Sequence, residues 1–147
     1  MISIQTQLAA VLAEKLNQVS AEIPLQPIRI FDIGIFPWHT SIELSFLCVS
    51  DTVDEADIAT WPLYNFSEID EGKWESAKPV CEFINAQWEQ THDTASILKI
   101  AVQAIKSSTV QQAISKLPKA PEFRIQILES DNPDSPNYIT IGWSLCR

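Results

Sequence analysis

The sequence predicts a single α+β domain, residues 1–147, in which helices pack on one face of an antiparallel β-sheet. Apolar residues recur every three or four positions in the opening segment and again between residues 79 and 117, which indicates amphipathic helices. The run PIRIFDIGIF is rich in β-branched and aromatic residues, and in residues 42–48 and 123–145 apolar and polar side chains alternate as they do in hairpin strands. The predicted order is therefore α-β-β-α-α-β-β, with two hairpins forming the sheet, and 147 residues are enough to bury one core.

The first helix is predicted from one apolar stripe and ends before Pro24, because proline cannot continue a helix. The stripe consists of Ile4, Leu8, Val11, Leu12, Leu16 and Val19. Two strands follow it, the run PIRIFDIGIF and the alternating run from Ile42 to Cys48. Between these runs lie Pro37, Trp38 and His39, which we expect to form the corner of the first hairpin.

Helices are predicted again in the second half of the chain. One runs from about residue 79 to residue 89, where Pro79 suits a first helical position. The next follows Asp93, whose carboxylate can accept hydrogen bonds from the free amides of a first turn. Ser108 and Gln111 have the spacing of a capping box, so the run that follows is either a separate helix or a continuation.

The end of the chain carries the pattern of a second hairpin. Phe123, Ile125 and Ile127 alternate with polar residues, the turn-forming stretch DNPDSP follows, and alternation resumes from Ile139 to Leu145. Strands of this kind have one solvent-exposed face and one face buried against the core. We therefore expect two antiparallel strands at the end of the chain.

The formal net charge of −9 belongs to one part of the chain. Nine of the nineteen acidic residues lie between Asp32 and Glu71, whereas residues 30–72 contain no lysine or arginine. The remaining ten acids equal the ten bases in number. Such a surface repels phosphates, so nucleic acid is not an expected partner.

Hydrophobicity and cysteine usage predict a soluble, cytoplasmic protein with no membrane partner. No stretch approaches the roughly 18 apolar residues of a membrane-spanning helix, and the opening residues lack the basic start of a signal peptide. Cys48, Cys81 and Cys146 are odd in number and widely spaced, which indicates buried free thiols in a reducing compartment. The oligomeric state is left open by these patterns.

No motif in the sequence carries a specific catalytic, metal-binding or cofactor-binding signature. The three glycines stand too far apart for a phosphate loop, and no CxxC pair exists to begin a zinc site. We therefore expect no catalytic residue, no metal and no cofactor. One enzymatic alternative is a small hydrolase that uses His39 with Asp32 or Glu43, because a carboxylate in an apolar run either pairs or does chemistry.

Residues 51–72, called the acidic segment below, form the candidate functional site. They show no sustained period, which predicts a loop with one helical turn near residues 55–60. Aromatic residues among carboxylates are typical of a binding hot spot with steering charges around it, although the same rings could anchor the loop to the core. The residues predicted to contact a partner are Trp38, His39, Asp51, Asp54, Glu55, Asp57, Trp61, Tyr64, Asp70 and Glu71.

The block FDIGIFPWHTSIELSF, followed by DIATWPLYNF, resembles small cytoplasmic bacterial immunity proteins of toxin-immunity systems. In that pattern a strand, a Pro-Trp-His corner and a second strand precede an acidic loop that contains tryptophan. The likeness covers about residues 31–66, and the residues that match the pattern are Trp38, His39 and Trp61. It implies a non-catalytic protein that binds and blocks a cognate toxin, often a nuclease. We therefore expect a basic protein partner; the alternative is a nucleic-acid mimic or adaptor that inhibits a cellular enzyme.

Overall fold

The computed structural model describes residues 3–130 and 132–140. This part of the chain contains helices and a three-stranded sheet, in the order α1-β1-β2-α2-α3-α4-β3. The mixed helix and strand content is therefore confirmed, but the order differs from the predicted one. The strands are β1 (Ile28–Phe36), β2 (Ser41–Cys48) and β3 (Lys119–Gln126), and the helices are α1 (Ile4–Glu22), α2 (Lys78–Thr91), α3 (Thr94–Lys106) and α4 (Ser108–Ser115).

The sheet has β1 at its centre and β2 and β3 on either side. β1 and β2 form the first predicted hairpin, with Asp32 opposite Ser45 and the 3₁₀ turn Pro37–His39 as its corner. β3 runs parallel to β1, with Gln126 opposite Asp32. The prediction of an antiparallel sheet made of two hairpins is therefore wrong. A parallel pair needs a long crossover connection, and α2, α3 and α4 supply it.

The chain after β3 turns away from the sheet because the side chain of Asn137 takes backbone groups that a hairpin partner would bond. Its Oδ1 accepts a hydrogen bond from the amide of Ile127 at 3.1 Å, and its Nδ2 donates to the carbonyl of Ile125 at 3.0 Å. Of the last predicted strand, residues 139 and 140 lie in a helical turn. Residues 141–145 of that prediction lie outside the described residues.

The two faces of the sheet are covered differently. Alternate residues of β1, such as Phe31 and Ile33, point inward and join the main core with the apolar sides of the helices. The helices cover this inner face. On the outer face Ile30 and Leu47 form a separate small cluster with Trp61 of the acidic segment. Residues 53–61 of the acidic segment therefore pack on the face of the sheet opposite the helices, whereas Phe66 and Ile69 of the segment join the main core.

Side chains cap the first turns of α1, α3 and α4. Asp93 caps α3 as predicted, with Oδ1 accepting from the amide of Ser96 at 3.1 Å. α4 is a separate helix, and its cap is Ser107, one residue before the predicted Ser108. Ser3 caps α1. Within the part of the chain that is described, none of the helices combines the length and apolar character that crossing a bilayer needs.

Candidate functional site

The acidic segment lies along the free edge of β2. The amide of Phe46 donates to the carbonyl of Leu63 at 3.2 Å, and the amide of Phe66 donates to the carbonyl of Leu44 at 2.8 Å. These bonds pair the segment with β2 in the antiparallel sense. An exposed sheet edge is a template for unwanted strand pairing, so this stretch of the segment has a structural role as a cover. It is more ordered than the loop that the sequence predicted.

Trp61 anchors the acidic segment to the outer face of the sheet. Its side chain is 2% exposed and packs against Ile30 and Leu47. The indole Nε1 donates a hydrogen bond to the carbonyl of Asp54 at 3.3 Å, which ties two parts of the segment together. In this conformation the Trp61 ring offers almost no area to a partner. Phe66 is a second anchor, because its ring stacks on that of Phe46 with 4.4 Å between the centroids.

Tyr64 is the aromatic residue that the segment presents to solvent. Its side chain is 38% exposed, in contrast to Trp61. The hydroxyl donates a hydrogen bond to Glu43 Oε1 at 2.8 Å, which fixes the ring over the outer face of β2. Burial, followed by the hydrogen bond to Glu43 and the charges of Glu43 and Asp32, raises the pKa of Tyr64 to about 12. Tyr64 is therefore a neutral, oriented phenol at neutral pH.

The predicted acids at the start of the segment have different roles. Glu55 forms ion pairs with Arg29 and, at 3.2 Å, with Arg124, so its charge is matched within the molecule. Asp51 accepts a hydrogen bond from the amide of Cys48 at 2.8 Å and thereby closes the turn after β2. Asp54 accepts from the amide of Ala56 at 2.9 Å, yet its side chain is exposed.

Asp57 is exposed, and its carboxylate has no hydrogen bond or ion pair among the described residues. Asp70 and Glu71 lie in the 3₁₀ turn Ile69–Glu71, and both side chains are exposed. The outward-facing negative charge of the segment therefore lies at Asp54 and Asp57 on one side and at Asp70 and Glu71 on the other. Sequence reasoning missed the partners of Glu55, because Arg124 is 69 positions away in the chain.

Trp38 and His39 lie beside the second of these groups. Trp38 is half-buried in the hairpin corner, with its ring 5.8 Å from that of Trp88 on α2. Asn85 of α2 holds the same corner by donating to the carbonyl of Pro37 at 2.7 Å. His39 is exposed at the rim of a surface depression. The corner is therefore fixed by α2, and it presents His39 rather than Trp38.

That depression has a volume of about 440 Å³ and lies between the start of β2 and the acidic segment. It brings together three predicted residues, His39, Tyr64 and Asp70, with three that were not predicted as partner contacts. The lining is Phe36, His39, Ser41, Glu43, Tyr64 and Asp70. A signal for the three unpredicted residues was present, because Ser41 and Glu43 alternate on β2 and Phe36 lies opposite Ser41 in the hairpin.

Asp32, the other carboxylate considered for catalysis, is buried in the central strand of the sheet. It is 5% exposed, and Gln126 Nε2 donates a hydrogen bond to its Oδ1 at 2.9 Å. Burial raises the pKa of Asp32 to about 6, against the smaller lowering effect of the Gln126 bond. Asp32 does not line the depression that holds His39, whereas Glu43 does. Among the described residues, no group of three or more His, Cys, Asp or Glu side chains could hold a metal ion.

Comparison of the chain with protein-family profiles, with curated proteins and with solved structures finds no match. The likeness of residues 31–66 to immunity proteins therefore stays a prediction. Function has to be argued from the outward-facing carboxylates, the oriented Tyr64 and the depression beside them.

Proposed function

We propose that the protein is a non-catalytic binding protein of the immunity type, which neutralises a basic toxin by covering its active site. One observation carries the proposal: the acidic segment contains seven acids and no lysine or arginine, its Trp61 and Phe66 rings pack inward, and four of its carboxylates face outward, those of Asp54, Asp57, Asp70 and Glu71. A nuclease site is cationic because it binds phosphates, so it fits such a surface.

The exposed carboxylates would act mainly on the rate of association. Complementary potentials raise association rates above the value of about 10⁵ to 10⁶ M⁻¹s⁻¹ that is typical without steering, and the effect fades as salt increases. Asp54, Asp57 and Glu71 are suited to this role, since they are exposed and form no ion pair within the described residues. Glu55 and Asp51 are less suited, because both hold the fold.

Tyr64 would supply the apolar centre of the contact. It combines exposed ring area with a fixed orientation, which is the usual character of an interface hot spot. His39 lies beside it at the rim of the depression. In this proposal Trp61 and Trp38 support the surface from below, and the complex forms in the cytoplasm, where a nuclease would reach its substrate.

A nucleic-acid mimic that inhibits a cellular enzyme would use the same surface. The two interpretations differ in the source of the partner, so the neighbouring genes separate them. An adjacent gene for a large toxin with a basic nuclease domain supports immunity, and its absence supports the mimic.

A small hydrolase is a second candidate, because His39, Ser41 and Glu43 line one depression. Nucleophilic catalysis needs the hydroxyl within hydrogen-bond reach of the base. Ser41 Oγ has no hydrogen-bond partner among the described residues, which weighs against this candidate. Hydrolysis of a panel of small esters that is lost in His39→Ala, with the fold intact, would support it.

The test of the immunity proposal uses the basic nuclease domain encoded by the neighbouring gene. The triple variant Asp54→Asn, Asp57→Asn, Glu71→Gln should slow association about tenfold at 50 mM salt and flatten its salt dependence. The matched control removes three exposed acids elsewhere, by Glu89→Gln, Glu122→Gln and Asp134→Asn. Stopped-flow association rates at about 50 and 300 mM salt measure both.

The control variant should keep at least half of the wild-type association rate, since its charges lie outside the acidic segment. Nuclease inhibition by the wild-type protein is measured in parallel. Equal slowing by the two triple variants would mean that only net charge matters. Absence of any binding to the neighbouring nuclease would overturn the immunity proposal.

A further inference from the structure

A cleft with a volume of about 720 Å³ lies between the start of the acidic segment and the chain that follows β3, and it is called the β3 cleft below. Its lining comes from residues between 54 and 58 on one side and between 128 and 135 on the other. Arg124 and Gln126 of β3 lie between these two sides. Among the described residues, the β3 cleft shares no lining with the depression beside Tyr64.

Gln126 is a buried polar side chain that lines the β3 cleft with one atom left unbonded. The residue is 6% exposed. Its Nε2 donates a hydrogen bond to Asp32 Oδ1, whereas its Oε1 accepts none from the described residues. Unlike the hydroxyl oxygens of Ser41 and Ser130, Oε1 is not shut off from solvent. A buried acceptor without a partner costs free energy, so a donor that enters the cleft would relieve that cost.

Asp32 determines which end of the Gln126 amide is left free. An ionised carboxylate only accepts hydrogen bonds, so the amide has to turn Nε2 toward Asp32 and Oε1 away from it. The sheet register holds the pair together, because Asp32 and Gln126 lie opposite each other on adjacent strands. The β3 cleft is therefore suited to a ligand that donates hydrogen bonds rather than one that accepts them.

The charged groups of the β3 cleft favour a donor that is also positively charged. Arg124 is paired with Glu55, and the carboxylates of Asp54 and Glu129 line the cleft in addition. Glu129 Oε2 accepts from the hydroxyl of Tyr138 at 3.3 Å, while its Oε1 has no hydrogen bond or ion pair with any described residue. Three carboxylates and one guanidinium give the described lining a net negative charge.

We propose that the β3 cleft binds a lysine side chain of the basic partner, with the ammonium group hydrogen-bonded to Gln126 Oε1. The apolar side chains of Ile58 and Leu128 line the cleft and can contact the four-carbon stem of lysine. The ammonium carries three donors, and Glu129 can accept a second of them. An arginine matches the cleft less well, because its planar fork suits paired acceptors, whereas Gln126 offers a single oxygen.

The inference deepens the proposed function, on which it rests for the identity of the partner. Asp57 and Glu71 would steer the toxin from a distance and so act on its association rate. Gln126 would hold one lysine at close range and so act on the dissociation rate. Because Gln126 carries no charge, the two effects can be measured separately.

The experiment titrates N-acetyl-lysine amide into the ¹⁵N-labelled full-length protein at neutral pH and follows backbone amide shifts by NMR. Saturable shifts are expected at residues 54–58 and 126–130, with a dissociation constant on the order of 1 to 10 mM for so small a ligand. N-acetyl-norleucine amide keeps the four-carbon stem without the ammonium and should produce no saturable shift. N-acetyl-arginine amide should bind more weakly than the lysine compound.

Variants identify the groups that bind. Gln126→Met has a similar length without the acceptor and should weaken lysine binding about tenfold. Glu129→Gln leaves the buried pair of Asp32 and Gln126 untouched and should weaken it about threefold, so the test does not depend on the folding of Gln126→Met. Glu122→Gln removes an exposed charge of β3 outside the cleft and should stay within about twofold of wild type.

Equal binding of the norleucine or the arginine compound, or equal weakening by Glu122→Gln and Glu129→Gln, would overturn the inference. Absence of saturable shifts in the full-length protein would overturn it as well, since another part of this chain or a second copy would then occupy the cleft.

The neighbouring nuclease separates the inference from the proposed function. Gln126→Met should speed dissociation of the nuclease about tenfold and leave the salt dependence of its association unchanged. An unchanged dissociation rate would overturn the inference while leaving the proposed function intact. Lysine binding in the cleft without any nuclease inhibition would instead support the lysine site and contradict the proposed function.

Discussion

At the scale of single residues, Asp32 lowers the stability of the folded state at neutral pH. The pKa of Asp32 is raised from 3.8 to about 6 by burial, so its charged form is less favourable in the folded than in the unfolded chain. The folded protein therefore binds more protons between these values, and this contribution to stability decreases as pH rises through that window. The destabilisation by ionised Asp32 is complete above about pH 6 and disappears below the pKa that Asp32 has in the unfolded chain.

Asp32→Asn should stabilise the protein at pH 7, by up to about 3 kcal/mol in the free energy of unfolding. Asparagine removes the charge and keeps an oxygen that can accept from Gln126. The difference between variant and wild type should shrink toward zero by about pH 4, near the pKa of the unfolded chain. Urea unfolding at these two pH values measures it. A difference of the same size at both would show that packing, not charge, is responsible.

Trp61→Ala should cost about 3 to 5 kcal/mol of folding stability, because it empties the small cluster with Ile30 and Leu47. Trp61→Phe should recover part of this loss. Tyr64→Ala removes an exposed ring and should cost about 1 kcal/mol of stability or less, while speeding dissociation of the partner. Urea unfolding and dissociation rates are the two measurements. If the Trp61→Ala protein were stable but bound the partner weakly, Trp61 and not Tyr64 would be the binding hot spot.

At the scale of elements, the acidic segment is fastened to the sheet at several points. Backbone bonds hold residues 63–66 along β2, and the amide of Asn65 donates to Ser45 Oγ at 2.9 Å. Glu55 bridges Arg29 of β1 and Arg124 of β3. The Glu55 bridge joins the segment to two strands that are distant in the sequence.

Glu55→Gln should lower stability by up to about 1 kcal/mol, since partly exposed ion pairs contribute little. The loss should be smaller in about 1 M salt, which screens the pairs in the wild type. Asp57→Asn is the control, because its carboxylate has no partner among the described residues. Urea unfolding at low and high salt measures both. A salt-independent loss would mean that Glu55 acts through packing.

The first hairpin and the helices could be predicted from the sequence because their signals are local. Alternation on β1 and β2, Pro37 between them and the Asp93 cap all act within a few residues. The pairing of β3 could not be predicted, because its alternation is compatible with either strand direction. The long helical connection returns the chain so that β3 runs parallel to β1, and the bonds of Asn137 replace those of a further hairpin strand; both act through three-dimensional contacts.

The same limit applied to the candidate site. The charge of the acidic segment and the presence of aromatic residues in it were readable from composition. Which ring is exposed was not, because Trp61 and Tyr64 differ in what the folded sheet places beneath them. The depression could not be predicted from the sequence either, because it forms between residues of β2 and Asp70, which are distant in the chain.

At the scale of the whole molecule, two buried cysteines can serve as probes for opening of the main core. Cys48 and Cys81 are free thiols that are 4% and 2% exposed. Burial, with a smaller effect from Asp70 and Glu82, raises the pKa of Cys81 to about 12, and burial also raises the pKa of Cys48. Because the thiolate is the reactive form, neither thiol should react in the folded protein.

In a Cys146→Ser background, both thiols should react with a disulfide reagent at about pH 8 only through opening of the core. Cys146 is replaced because it lies outside the described residues. The reaction rate should rise with urea with the same slope as global unfolding. A spectrophotometric thiol assay measures it. Rapid reaction of one thiol in the absence of urea would show that this part of the core opens independently.

The cover on the edge of β2 has a consequence for how such a protein can evolve. Positions 63–66 hold the fold through backbone hydrogen bonds and a stacked ring, whereas Asp57 and Glu71 contribute no side-chain bond within the described residues. Under the proposed function, a lineage that must recognise a changed toxin could therefore vary positions 57 and 71 while the contacts that hold the sheet stay the same. Under that proposal, partner choice and folding would depend on different positions of the same short stretch of chain.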